Sequence, residues 1–159
     1  MTAAWAGPDD AYLLPGETYL SRGQHRRVIT LLGSCVAVVL HSARHRRSAI
    51  CHAVLPRARE PGAANPRFVD QAIDLMLDAL HRERIPVTGL QAKLFGGATQ
   101  LARAPARPSA FDVGRKNVCV ARRELERHGI GLVAQDVGGR HGRRLCLFPV
   151  TGEVRLYRI

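Results

Sequence analysis

Residues Thr30–His41 read TLLGSCVAVVLH. Aliphatic and β-branched side chains dominate, which is the composition of a strand. A Gly-Ser pair, Gly33-Ser34, interrupts the run immediately before Cys35. Glycine inside a strand pattern marks a bend, a bulge or a close backbone approach. Two readings of Cys35 stand at this point. It is a small apolar core residue, or it is a nucleophile presented at a bend. The rest of the chain has to choose.

Residues 27–41 form one strand-like stretch that Gly33 interrupts. The polar Ser42–Arg47, SARHRR, makes a charged turn, and Ser48–Pro56, SAICHAVLP, is a second strand stopped by Pro56. Two apolar runs joined by so short a turn predict a hairpin. Residues 1–20 carry Pro8, Pro15 and Gly16 and read as an irregular arm with one short strand, residues 1–12 being irregular. After a polar loop, Asn65 and Pro66 supply an N-cap and a first helical position. The following stretch places Phe68, Val69, Ala72, Ile73, Met76, Leu77 and Leu80 on one face at helical spacing, with Asp70, Asp74 and Asp78 opposite.

Thr88–Ala98, TGLQAKLFGGA, is a strand ending in Gly96-Gly97, followed by a loop of small residues and prolines at 99–110. A second helix is expected from about Arg115 to His128, closed by Gly129. Three strands follow, the last two joined as a hairpin at Thr151-Gly152. The order of elements predicts one α+β domain over residues 1–159. It is a layered sandwich of mixed or antiparallel sheet with two main helices.

At 159 residues and 46% hydrophobic composition, the chain can bury a real core. No run reaches the roughly 18 apolar residues of a membrane span, and the N-terminus has neither the basic nor the apolar region of a signal peptide. A cytoplasmic protein, not inserted in a membrane, is the expectation. The formal charge is +11, almost all of it arginine, since lysine occurs only at Lys93 and Lys116. The arginine clusters are scattered, aromatics rarely interleave with them, and no helix-turn-helix or RNP-like motif is present. No nucleic-acid partner is therefore assigned. There is no phosphate-binding glycine motif, and Cys35, Cys51, Cys119 and Cys146 lie too far apart for a zinc knuckle. No cofactor and no metal are implied. At least three of the four thiols are expected to be small buried residues.

A cysteine nucleophile needs a base, oxyanion donors and a group that orients the base. Six of the seven histidines lie in polar or basic surroundings. The seventh, His52, sits inside an apolar strand. If residues 27–41 and 48–56 pair, Cys35 and His52 lie on adjacent strands within contact range, whereas Cys51 points to the opposite face. The bend at Gly33-Ser34 is suited to aim backbone donors at an oxyanion, and a nearby Ser or Thr hydroxyl to orient the imidazole. A satisfied core histidine is the alternative. Gly96-Gly97 and Asn117 read as a strand end and a residue near a helix start, with close approach of substrate backbone and a receptor contact as the functional alternatives, and Asp136-Val137-Gly138-Gly139 reads as a turn.

These residues resemble the CheD family, the chemoreceptor glutamine deamidases of bacterial chemotaxis. LLGSCVAVVLH is followed, seventeen residues after its cysteine, by the histidine of HAVLP. RFVDQAIDLML, AKLFGGA, VGRKNV and DVGGRHGRR with TGEV continue the likeness in order over about Leu13–Tyr157. The resemblance implies a fold similar to deamidating toxin domains of the cytotoxic necrotizing factor type. It also implies conversion of receptor glutamines to glutamate through a Cys-His thioester, without a cofactor. The family's cysteine falls on Cys35 and its histidine on His52. A third residue, a threonine six positions before the cysteine, would fall on Ile29. Thr30 takes the role if the alignment carries a one-residue gap, and faces the other side of the strand if it does not. Ser34 is a candidate for the oxyanion or substrate site. The partners implied are methyl-accepting chemotaxis receptors and a CheC-type phosphatase. The competing reading is a non-catalytic regulatory partner of both.

Overall fold

Gly33 and Ser34 divide the opening stretch between two sheets. The computed structural model describes residues 6–99 and 113–159. Its strands are β1 (Asp10–Tyr12), β2 (Thr18–Leu20), β3 (Arg27–Leu32), β4 (Val36–Ser42), β5 (Arg47–Ala53), β6 (Leu90–Gly96), β7 (Gly131–Val137), β8 (Arg143–Phe148) and β9 (Glu153–Arg158). Its helices are α1 (Val69–Arg82) and α2 (Val113–Arg127). One sheet has the order β1-β3-β8-β9 and the other β2-β5-β4-β6-β7. Both are mixed, because β1–β3 and β6–β7 pair in parallel and the remaining pairs are antiparallel.

The expected single strand over 27–41 is thus two strands. β3 pairs with β8 in the first sheet and β4 pairs with β5 and β6 in the second. A two-residue bend carries the chain across the sandwich. Composition could not reveal this, because both halves are equally apolar. The hairpin prediction holds for β4 and β5, which run antiparallel with Ala37 opposite His52. The 1–20 arm, expected to hold one short strand after an irregular 1–12, holds two: β2 and, inside the stretch expected to be irregular, β1, one in each sheet.

The alternation of the central strands builds two cores. Val36, Val38 and Leu40 of β4, Ala49, Cys51 and Ala53 of β5, and Ala92 and Leu94 of β6 face the helices. They meet Val69, Ala72, Ile73, Met76 and Leu80 of α1 and Val118, Ala121 and Leu125 of α2. Ala37, Val39, Ile50 and Phe95 face the other way, onto Val28, Leu32, Leu145 and Leu147 of the first sheet. The result is three layers: helices, five-stranded sheet, four-stranded sheet. Strands buried on both faces read as continuous apolar runs, which is why β4 is buried along its whole length.

α1 begins at Val69, after Phe68, with no side-chain cap. The expected start at Asn65-Pro66 fails because the intervening residues are used elsewhere. The Arg67 carbonyl accepts the amides of Val54 and Leu55 at 2.8 and 2.9 Å, and Phe68 forms a parallel bridge with Leu55. Asn65 Oδ1 accepts the Arg67 amide at 3.0 Å, which shapes this turn instead of capping the helix. α2 ends as expected before Gly129, and β8 and β9 form the C-terminal hairpin. The loop expected at 99–110 lies outside the described residues, apart from Thr99.

Candidate active site

Alternation along β5 sends His52 into the space between the sheets. The ring is 2% exposed. Its Nδ1 lies 2.7 Å from Thr30 Oγ1, and the Thr30 hydroxyl donates to the Leu13 carbonyl, also at 2.7 Å. A hydroxyl has a single proton. Since that proton goes to Leu13, the Thr30 oxygen must accept from His52, so Nδ1 carries the hydrogen. Nε2 is then the bare lone pair. It is buried and has no hydrogen-bond partner among the described residues. Burial holds the imidazole pKa down to about 4, against weaker upward pulls from the Leu13 carbonyl and the Glu17 charge. Near neutral pH the ring is an uncharged base with its tautomer already chosen.

Residues 13–17 brace this histidine from outside. Leu13 donates its amide to Ile29, Gly16 donates to the His52 carbonyl at 2.7 Å, and the His52 amide donates to the Glu17 carbonyl at 2.9 Å. The turn Leu14-Pro15-Gly16-Glu17 closes with the Glu17 amide on the Leu14 carbonyl. Proline second and glycine third is a favoured turn sequence.

Cys35 stands just before β4, half-buried, and packs against the cluster between the sheets. Residue 37 of β4 is opposite His52, so Cys35 occupies the diagonal position. That spacing is typically ~7–8 Å across a strand pair and within reach of longer side chains. Burial raises the Cys35 pKa, and the nearby charge of Arg67 opposes the rise. The resting pair is therefore a neutral thiol and a neutral imidazole.

Three consecutive carbonyls fix the loop that carries the sulfur. Gly33 accepts the Ala98 amide at 2.9 Å, Ser34 accepts Asn117 Nδ2 at 3.0 Å, and Cys35 accepts the Gly97 amide at 2.8 Å. With these carbonyls turned into the protein, the amides of Ser34 and Cys35 have no backbone partner among the described residues. The Ser34 side chain is exposed. Gly96 supports the same loop by close approach. Its φ is +103°, and a Cβ there would lie 2.2 Å from the Cys35 carbonyl oxygen.

The other thiols separate from Cys35 by environment. Cys51 faces the helices, as alternation required, and complete burial pushes its pKa up to about 12. Cys146 is buried, whereas Cys119 is exposed. The expectation of three buried thiols fails at Cys119, since the inward residues of α2 are Asn117, Val118, Val120 and Ala121. Elsewhere Asp74, Glu124 and His128 bring ligand-type atoms within 4.8 Å of one another. Both Glu124 oxygens are already engaged, by Arg57 at 2.9 Å and by Arg127 at 2.7 Å, so the group is an ion-pair network.

Sequence reasoning picked out Cys35, His52 and Thr30, and the fold brings them to one inter-sheet space. It missed the Leu13 carbonyl, the amides of Gly97 and Ala98, and the paired donation by Asn117. Backbone contacts leave no residue-type signal. Asn117 carried one, a polar residue on the apolar side of a helix.

Residues 54–158 match the family model described as CheD chemotactic sensory transduction. The chain belongs to the CheD family. It is 40% identical, over its whole length and 96% of the relative, to a protein of Geobacter sulfurreducens named probable chemoreceptor glutamine deamidase CheD 2. It is 39% identical, over 93% of its length and 91% of the relative, to the probable chemoreceptor glutamine deamidase CheD of Maridesulfovibrio salexigens. A CheD relative of the same description in Thermococcus kodakarensis is 40% identical over 80% of each chain. Among the described residues, no helix of this CheD chain is long and apolar enough to cross a membrane.

Proposed function

We propose that this CheD chain deamidates glutamine side chains of chemoreceptors by a Cys-His thioester mechanism. The observation that carries the reading is the buried Nε2 of His52, which has no partner among the described residues and whose opposite nitrogen is tied to Thr30. A buried lone pair without a donor costs about 1–3 kcal/mol. A base awaiting a proton accounts for that cost, and Cys35 is the proton source on the same side of the sheet.

Nε2 takes the Cys35 proton, and the thiolate attacks the carboxamide carbon. The amides of Ser34 and Cys35 donate to the oxyanion. The imidazolium, held by Thr30, returns its proton to the amide nitrogen. The C–N bond breaks, ammonia leaves, and a γ-glutamyl thioester remains. Water then attacks the thioester with His52 as base. Glutamate forms and the thiol is restored. Thr30 orients the ring and fixes its tautomer, the role of the third member of such triads. The step needs no bound cofactor, because the sulfur and imidazole supply nucleophile, base and acid. We assign the protein to the cytoplasm, where the receptor glutamines are reached.

The test is incubation of the protein with a receptor cytoplasmic fragment, followed by peptide mass spectrometry. Conversion of defined glutamines to glutamate, with equal ammonia release, supports the reading. An unmodified fragment, together with undiminished function of a Cys35→Ala chain in cells, favours regulatory binding to receptors and a CheC-type phosphatase.

A further inference from the structure

We infer that Asn117 is a positioning residue that sets the spacing between Cys35 and His52. The inference rests on the mechanism above and extends it to a side chain that touches no substrate.

Asn117 is fully buried. Its Nδ2 donates to the Ser34 carbonyl and to the Val54 carbonyl, each at 3.0 Å. Ser34 directly precedes Cys35, and Val54 lies two residues after His52. One nitrogen thus ties the loop holding the sulfur to the strand end holding the base. β4 and β5 stop pairing at Val36 and Ala53, so sheet hydrogen bonds do not fix this last separation. The side chain takes over where the ladder ends.

The same amide leaves its Oδ1 buried and without a partner among the described residues. Such groups are rare and demand an explanation. A short side chain that places two N–H donors on one atom has to carry the carbonyl oxygen with it. Leucine and aspartate match its shape but have no such donors. The orphaned oxygen is the cost of a double donor at this position.

The approach of α2 serves the same end. A Cβ on Gly114 would lie 2.6 Å from the Gly97 oxygen and 2.7 Å from the Ala98 oxygen. Only a glycine lets the first turn of α2 come this close to the residues that grip Gly33 and Cys35. One turn later that helix delivers Asn117 between the two catalytic segments.

The test reads the thiol directly and needs no receptor. The iodoacetamide rate at Cys35 is followed by peptide-resolved mass spectrometry in the wild type, Asn117→Ala, Asn117→Ser, His52→Ala and each Asn117 substitution combined with His52→Ala. Exposed Cys119 is the internal control. Asn117→Ala should slow Cys35 about tenfold in the wild-type background and leave it unchanged in the His52→Ala background, because its effect passes through the histidine. Asn117→Ser, which keeps one donor, should fall between. Equal slowing in both backgrounds, or a lower melting temperature with an unaltered Cys35 rate, overturns the assignment and leaves Asn117 a plain structural residue. If Asn117→Ala does not fold, the Asn117→Ser comparison in the two backgrounds decides alone. Failure of the receptor assay with this coupling intact would remove the substrate and keep the positioning role. No effect of His52→Ala on Cys35 would remove both.

Discussion

Thr30 and His52 belong to different sheets, and the 2.7 Å hydrogen bond between them crosses the sandwich. The hydroxyl that accepts from Nδ1 is committed in turn to the Leu13 carbonyl. The imidazole is thereby oriented by the layer it does not belong to. Any change that separates the sheets at this point also releases the ring.

Thr30→Val keeps the shape and removes the hydroxyl. It removes the hydroxyl that bridges His52 Nδ1 and the Leu13 carbonyl in a dry space, so stability should fall by about 1–3 kcal/mol. With the tautomer no longer fixed, kcat for deamidation should fall about a hundredfold while KM changes little. Thr30→Ser should restore most of both losses. Chemical denaturation and steady-state ammonia release measure the two effects, and full activity in Thr30→Val would remove the orienting role.

The buried imidazole also makes stability depend on pH. The His52 pKa is lowered from 6.5 to about 4 on folding. Between those values the unfolded chain binds the proton and the folded chain does not. The contribution is complete above pH 6.5 and is lost as pH falls toward 4, at about 1.4 kcal/mol per unit. His41, another buried imidazole with a lowered pKa, adds to the slope in the same direction. The comparison is therefore between the wild type and His52→Gln by urea unfolding at pH 7 and pH 4.5. The wild type should lose about 2 kcal/mol more than the variant over this range. Parallel curves would mean that His52 is not held neutral.

Gly96→Ala tests the clamp on the nucleophile loop. An alanine there meets φ of +103° and the Cys35 carbonyl at 2.2 Å from its Cβ. Backbone strain alone costs about 1–3 kcal/mol, and relief requires the loop to move. A lower melting temperature with a slower Cys35 alkylation rate is expected. Gly138→Ala, also at positive φ but with nothing within 4 Å of its Cβ, should lower stability without altering Cys35.

The legible parts of this fold were those with a periodic pattern. The α1 face from Val69 to Leu80, the β4–β5 pairing and the C-terminal hairpin all follow from spacing and turn residues. The split of Thr30–His41 between two sheets does not. Gly33 announced a bend but not its destination, which is fixed by where β8 and β6 lie, far along the chain. The same ambiguity governed Thr30. Counted along one continuous strand, it points away from Cys35. With the bend taken out of the strand, it points into the sandwich and meets His52. The strand at Asp10–Tyr12 escapes the sequence because three residues carry too few side chains to show alternation, and its pairing partner is distant. Asn117 reads in the sequence only as a residue near a helix start; its burial on the inward side of α2, with the Ser34 and Val54 carbonyls in reach, gives it a meaning that only the fold supplies.

Ammonia release from a receptor cytoplasmic fragment by the wild type, Cys35→Ala and His52→Ala, each verified as folded, tests the Cys35–His52 chemistry itself. Release by the wild type, matched by glutamate at defined positions, and a rate indistinguishable from buffer for both variants are expected. Substantial release by either variant would contradict it.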